Sequence, residues 1–321
     1  MRRAVVVVLV PALACSPPAP AALPPNAFAF GVFGDGPYRS WEIGRFKRLM
    51  EDVNGASVQW LLHVGDLLWY PCSDAAIAGR REMLNAIRAP VIYTPGDNEW
   101  ADCHADVAGR FEPLDRLRYI RRTFFSQPRQ SLGTRPLRLE SQSDSAAWAE
   151  FVENARWRFG GFLFVTIHIV GSANAGERHV FSTAAQADEV ERRTEAALQW
   201  LDVAFELAQA ESLRGVVVAM HGDPGIDTVH NAWPAYRGLV EHLAARASTF
   251  AGVVLLIHGD GHDFRVDHPL TQSGTRDVLS NFTRLETFGS PDIGWVRVVI
   301  DTLAGRIVSY EPRVMPRWVM W

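Results

Sequence analysis

Five short apolar runs punctuate the chain, and each ends in a polar pair. They are FAFGVFGD (28–35), WLLHVGD (60–66), VIYTPGD (91–97), VVVAMHGD (216–223) and VVLLIHGD (253–260). Runs of this length, rich in β-branched residues and bounded by glycine, predict strands buried on both faces and mostly parallel. Helical spacing lies between them: Phe46, Leu49, Met50 and Val53 share a face, as do Leu198, Leu201, Phe205 and Ala208, and Tyr236, Leu239 and Leu243. A further apolar run, FLFVTIHIV (162–170), and a hairpin VRVVID…GRIVSYE would extend or double the sheet. Strands alternating with helices predict an α/β domain with helices outside the sheet. No repeat and no second linker divides it, so one domain is expected over 26–321.

Composition agrees with a globular protein and narrows its business. The 321 residues are 48% hydrophobic and 21% charged, with a net charge of −4. A chain that neutralises nucleic-acid phosphates usually carries the opposite balance, so no nucleic-acid scaffold role is expected. Of the basic residues, Lys47 is the one lysine. Arginines concentrate at 110–158, where ten face six acids among Ser, Gln, Pro and Gly, and an irregular surface insertion is expected there. That insertion is either a solvated arginine-rich face or a surface that recruits phosphate.

The N-terminus changes the compartment. Arg2 and Arg3 precede an apolar stretch over 4–14 that closes on Ala12-Leu13-Ala14, a small-x-small cleavage site, so 1–14 reads as an export signal. The stretch is short of the ~20 residues needed to span a bilayer. Cys15 follows the cut directly, which fits either a bacterial lipoprotein signal with a lipid anchor at Cys15 or plain secretion. The Pro/Ala-rich 15–25 is a linker. The expected location is therefore the periplasm, free or membrane-anchored. In an oxidising compartment, Cys72 and Cys103 form an even pair that favours a disulfide over two buried thiols.

Ligands of parallel α/β sheets gather where strands end at the carboxyl edge. Those ends carry Asp35, Asp66, Asp97, His221 and Asp260, with His262 two residues on. So many carboxylates in one cleft repel one another strongly. Four carboxylates balance two divalent cations in formal charge, and a two-metal site is the natural reading.

The order GD, GD, GDNE, a lone His, then GDGH resembles that of the calcineurin-like metallophosphoesterases, whose pattern is D-x-H, GD, G-N-H-D/E, a lone His, then G-H-x-H. Within it the chain is similar to an exported bacterial branch marked by GDNEWxDC and FGSPDIGWV, present here at 96–103 and 288–296. The resemblance covers nearly all of 26–321. It implies a four-layer αββα sandwich, two mixed β-sheets with helices outside, and hydrolysis of phosphomonoesters or phosphodiesters at a dinuclear centre. Carried over position by position, it implies Asp35 and His262 on the first metal, Asp66 bridging both, and Asp97 and His221 on the second. Asp260 stands at the first histidine of G-H-x-H.

The departures are specific. Pro37 occupies the histidine position of D-x-H, and Asn98 replaces the near-metal histidine of the third motif. Tyr38 and Tyr70 are candidate tyrosinate ligands, and Trp69 and Trp100 candidate borders of the pocket. Asn98 is expected to hydrogen-bond a phosphate oxygen, Glu99 to orient Asn98 or a ligand, and His104 is a candidate proton donor to the leaving group. Asp97 and Asp260 lean the set toward oxygen, which favours Mn²⁺ or iron over Zn²⁺, Mg²⁺ or Ca²⁺ while two imidazoles remain. Cys72 and Cys103 each lie six residues after a strand-end aspartate, so their disulfide would staple loops that flank the metals. His63 and His168, inside apolar runs, are expected to be hydrogen-bonded core residues, and His258, just before Gly259, to stand behind the ligands. The competing class is a non-catalytic envelope protein that kept this fold.

Overall fold

A computed structural model of the chain describes residues 19–176, 183–226, 232–272 and 275–317; the expected export signal and Cys15 lie outside them. In chain order the strands are β1 (Ala27–Phe33), β2 (Leu61–His63), β3 (Val91–Tyr93), β4 (Glu140–Ser141), β5 (Ala155–Phe159), β6 (Phe162–Thr166), β7 (Gly215–Ala219), β8 (Val253–His258), β9 (Arg265–Asp267), β10 (Phe282–Glu286), β11 (Gly294–Asp301) and β12 (Arg306–Val314). Between them run α1 (Ile43–Gly55), α2 (Asp74–Asn85), α3 (Pro113–Phe124), the single turn α4 (Gly171–Ala175), α5 (Ala184–Ala210) and α6 (Arg237–Thr249).

Two mixed sheets form, one ordered β12-β11-β1-β2-β3 and the other β4-β5-β6-β7-β8-β10-β9. The five runs that end in Asp or His-Gly-Asp are all strands. β1, β2 and β3 run parallel in the first sheet, and β6, β7, β8 and β10 in the second. Alternation decides the layers, because successive strand side chains face opposite ways. Phe28, Phe30, Val32, Trp60 and Leu62 meet Phe164, Val217, Ala219, Leu255 and Ile257 between the sheets. Val216, Val218, Val254 and Leu256 face the other way and pack under α5 and α6. Phe33, Leu61, Val91 and Tyr93 do the same under α1, α2 and α3. The fold is therefore α/β, a four-layer αββα sandwich of the metallophosphoesterase type, with the central strands of each sheet buried on both faces.

Segment 110–158 is more regular than its composition suggests. It supplies α3, the edge strand β4 and its neighbour β5, and several of its arginines pair with acids: Arg116 with Asp74, Arg121 with Glu153, Arg129 with Asp144, Arg156 and Arg158 with Glu140. Among the described residues no helix is long and apolar enough to cross a membrane.

Candidate metal centre

The carboxyl ends of both parallel sets open on one seam between the sheets. Asp35 follows β1, Asp66 follows β2, Asp97 follows β3, His221 follows β7, and Asp260 and His262 follow β8. The loops bend sharply to present them: Asp35, Asp66, Asp260 and His262 all have left-handed backbones, with φ of 51, 57, 71 and 67°. Non-glycine residues in that region carry strain that persists where the surroundings over-determine it, and it concentrates at functional sites.

The backbone locks these loops together. Asp35 N–H donates to Gly65 O at 3.0 Å, and Gly36 N–H to Asp66 O at 2.8 Å. Asp260 N–H donates to Asp35 Oδ1 at 3.0 Å. Glu99 is a clamp on the backbone: its carboxylate accepts Leu67 N–H at 2.5 Å and Gly96 N–H at 3.1 Å, tying the Asp66 loop to the Asp97 loop. A side chain on Gly96 would place its Cβ 2.0 Å from Asp66 Oδ1, so this contact requires glycine. Cys72 and Cys103 are disulfide-bonded, with Cα atoms 5.7 Å apart, and tie the same two loops farther out.

His221 sits at the centre. Its Nδ1 lies 2.8 Å from Val64 O, which can only accept, so Nδ1 carries a proton and Nε2 faces the carboxylates. Nε2 is 3.1 Å from Asp97 Oδ1, 3.3 Å from Asp66 Oδ1 and 3.8 Å from Asp260 Oδ1. His262 is arranged in the same way: Nδ1 donates to Ser290 O at 2.8 Å, leaving Nε2 3.6 Å from Asp35 Oδ1. A second atom that fixes the ring of a metal-binding histidine is a recurring feature of metal sites.

The electrostatics point toward cations. Burial pushes the Asp35 and Asp66 carboxyls well above the usual carboxylate range, against the opposing pull of His221. Burial also raises Asp260. At Asp97 burial is outweighed by the hydrogen bond and charge of His221 and by the Ser172 hydroxyl, so that carboxyl is held low. Burial would depress His221, but the charges and hydrogen bonds of Asp66, Asp97, Asp35 and Asp260 hold it well above the ordinary imidazole value. Among these groups the His221 ring is the one that opposes four carboxyls, and Asp35 Oδ2 is buried with no hydrogen-bond partner among the described residues. Two triads, Asp35–Asp66–His221 and Asp97–His221–Asp260, each bring their ligand atoms within 4.8 Å of one another. The residues present could hold divalent cations.

Other expected residues fall as follows. Tyr38 reaches the cluster, its hydroxyl donating to Asp66 Oδ2 at 2.7 Å and lying 3.4 Å from His262 Nε2. Burial and the Asp66 charge push its phenol up. Tyr70 is exposed and packs on the Trp69 ring, 5.4 Å between centroids. Asn98 donates its backbone N–H to Asp66 Oδ1 at 3.1 Å and lines the cavity. His104 turns its Nδ1 to Ala101 O at 3.0 Å and is absent from the cavity wall. Trp69 borders the cavity, whereas Trp100 is buried. His63, His168 and His258 are buried, with ring nitrogens on Gly65 N, Glu153 Oε1 and Gly259 O.

Ser172 was not legible in the sequence. Its hydroxyl lies 2.8 Å from Asp97 Oδ2 and 3.0 Å from Asp102 Oδ1. It stands in α4, where Ser172, Ala173 and Asn174 take left-handed φ of 50, 54 and 56°. Arg193 and the Tyr236 hydroxyl hold that turn from behind through Asn174. The available signal was the apolar run 162–170 ending at Gly171, a strand end without a carboxylate.

An α/β sandwich of metallophosphoesterase type, with a carboxylate-rich cluster at its seam, is the class these observations define. Among solved structures the chain is similar to that of PhoD, with a TM-score of 0.55 and 12% identity over 89% of this chain and 66% of that one. That likeness is one of fold. Lower similarity extends to the Thermus thermophilus sulfate thiohydrolase SoxB (TM-score 0.42, 13% identity, 86% of this chain and 42% of that one). The Thermus thermophilus protein TT1561 is similar at a TM-score of 0.47, with 12% identity over 90% of this chain and 100% of that one. The chain thus spans just under two thirds of the PhoD structure and less than half of SoxB. No family model and no curated protein sequence matches it.

Proposed function

We propose that the chain is a metal-dependent phosphoesterase acting on phosphomonoesters or phosphodiesters. The observation that carries this reading is the convergence of Asp35, Asp66, Asp97, His221 and Asp260 from five strand ends onto one buried cluster, with Asp35 Oδ2 left unpartnered. Asp35, Asp66 and His262 would hold one ion, and Asp66, Asp97, His221 and Asp260 the other. Mn²⁺ or iron is favoured, because the set is mostly oxygen with two imidazoles. Bound there, divalent cations would supply Lewis-acid charge and a water of lowered pKa.

The chain's own residues do the rest. Tyr38 and the Asn98 N–H fix both oxygens of Asp66, and Ser172 fixes Asp97. Asn98 stands at the cavity wall, where its carboxamide can donate to a phosphoryl oxygen. The cavity of ≈ 540 Å³ receives the phosphoryl group, and a second cavity of ≈ 500 Å³ that shares Asp260 with it, walled by Trp233, Pro234, Ala235 and Ala173, has room for the organic part. We also propose export to the periplasm, free or lipid-anchored at Cys15. The leader-like start and a disulfide suited to an oxidising compartment support this.

The test is hydrolysis of p-nitrophenyl phosphate and bis-p-nitrophenyl phosphate by the chain from residue 26, with Mn²⁺, Fe²⁺, Zn²⁺, Mg²⁺, Ca²⁺ or EDTA. Metal-dependent turnover is expected, and Asp66→Asn should lose more than the ~100-fold typical of an outer-shell change. Absence of turnover with every metal would favour the non-catalytic envelope protein.

A further inference from the structure

The cavity over the cluster is walled by Asp66, Asp97, Asp102 and Asp260, yet one side chain of fixed positive charge also lines it, Arg39. In so acidic a setting an arginine would be expected to fold onto a carboxylate. Arg39 makes no ion pair among the described residues. Its guanidinium lies instead 4.9 Å from the centre of the Trp69 ring, at the cavity's edge.

Its backbone is fixed more firmly still. The buried Glu42 carboxylate accepts Tyr38 N–H at 2.6 Å and Arg39 N–H at 3.1 Å, and Ser290 Oγ donates to its other oxygen at 2.6 Å. Arg80 holds Pro37 O at 2.8 Å. The Trp69 ring is itself packed on Tyr38, 5.8 Å between centroids, and the Tyr38 hydroxyl rests on Asp66. A guanidinium without an ion pair among the described residues is thus carried on an aromatic shelf whose neighbour touches the carboxylate cluster.

We propose that Arg39 is a phosphoryl-binding residue that selects phosphomonoesters over phosphodiesters, an inference that rests on the metal-dependent phosphoesterase reading. A monoester presents three non-bridging oxygens and, with a second pKa near ~6, is largely dianionic at neutral pH. A diester presents two such oxygens and one charge. Oxygens turned toward the Asp66 cluster leave the monoester's remaining anionic oxygen for the cavity rim, where a planar guanidinium can grip it with paired N–H donors. A diester puts an esterified oxygen there, which accepts weakly and carries no charge.

Arg39→Met keeps an apolar stem on Trp69 and removes the charge; Arg39→Lys keeps the charge and loses the fork. Arg39 is exposed, so both variants should melt like the parent. With Mn²⁺-loaded protein, calorimetry should show inorganic phosphate binding weakened roughly ten- to a hundredfold in Arg39→Met, with Arg39→Lys between. The ratio of kcat/KM for p-nitrophenyl phosphate over bis-p-nitrophenyl phosphate should fall by a similar factor, because the diester loses little. Equal phosphate binding by parent and Arg39→Met, or equal losses on both esters, overturns the inference. Phosphate binding that depends on Arg39 without turnover of either ester upholds Arg39 as a phosphoryl-binding residue and overturns, with the phosphoesterase reading, its selection between esters.

Discussion

Glu153 shows how single residues in this protein are fixed by partners distant in sequence. It is buried, and its carboxylate takes the Arg121 guanidinium at 2.7 Å and the His168 ring at 2.7 Å. Burial alone would raise it, but the Arg121 charge and the His168 hydrogen bond outweigh burial and bring its pKa down to about 2. A carboxyl depressed on folding stabilises the native state above its unfolded value, near ~4.3. That contribution is lost as pH falls through the folded value. Glu153→Gln should therefore cost about 3 kcal/mol at pH 7, the scale of a broken buried pair. Urea unfolding of parent and variant should show the gap shrinking between about pH 4.5 and pH 2; a gap that holds its size in acid would reject the assignment. The residues of the candidate cluster were legible singly because each stands at or just past the end of an apolar run. Arg39, Ser172 and Glu153 were not, because their roles come from side-chain contacts that no local pattern encodes.

The strands that lead to the candidate cluster were the legible elements, since burial on both faces writes a continuous apolar run into the sequence, whereas β4, β5, β9 and β10 were not read. Helices α1, α5 and α6 were legible from their spacing. The segment 110–158 was not, because α3 is amphipathic with arginines that read as surface until Glu153 and Asp74 are seen opposite them. The loops after β2 and β3 are the elements on which the site depends. They are joined by the Glu99 clamp at their base and by Cys72–Cys103 farther out, a bridge spanning 31 residues of sequence. Closing a loop of that size contributes about 3–4 kcal/mol by chain entropy. Cys72→Ser/Cys103→Ser should lower stability by that order. It should also weaken Mn²⁺ binding, because Asp66 and Asp97 ride on the freed loops. Calorimetric titration with Mn²⁺ would check the coupling. Unchanged affinity beside lowered stability would make the bridge purely a staple of the fold.

At the scale of the whole molecule the site is a seam. Asp35, Asp66 and Asp97 come from the first sheet, and His221, Asp260 and His262 from the second, so the cluster exists only when both sheets are folded and packed. The core between them, where Trp60 meets Phe30 and Phe164 at 5.7 and 4.8 Å, holds the sheets in register. Cations that bind this cluster and not the unfolded chain must then stabilise the entire sandwich rather than one loop. At a free concentration about 100 times Kd, one such site adds about 2.7 kcal/mol. In a protein of this size that is an upward shift of several degrees in Tm. Melts in EDTA and with increasing Mn²⁺ should show a single transition that moves upward, and Asp66→Asn should abolish most of the movement. Two transitions, of which only one responded to metal, would mean that the sheets unfold separately and that the cluster belongs to one of them. A Tm that ignored Mn²⁺ in the parent would mean that the carboxylates share protons instead of cations, with His221 as their only counter-charge.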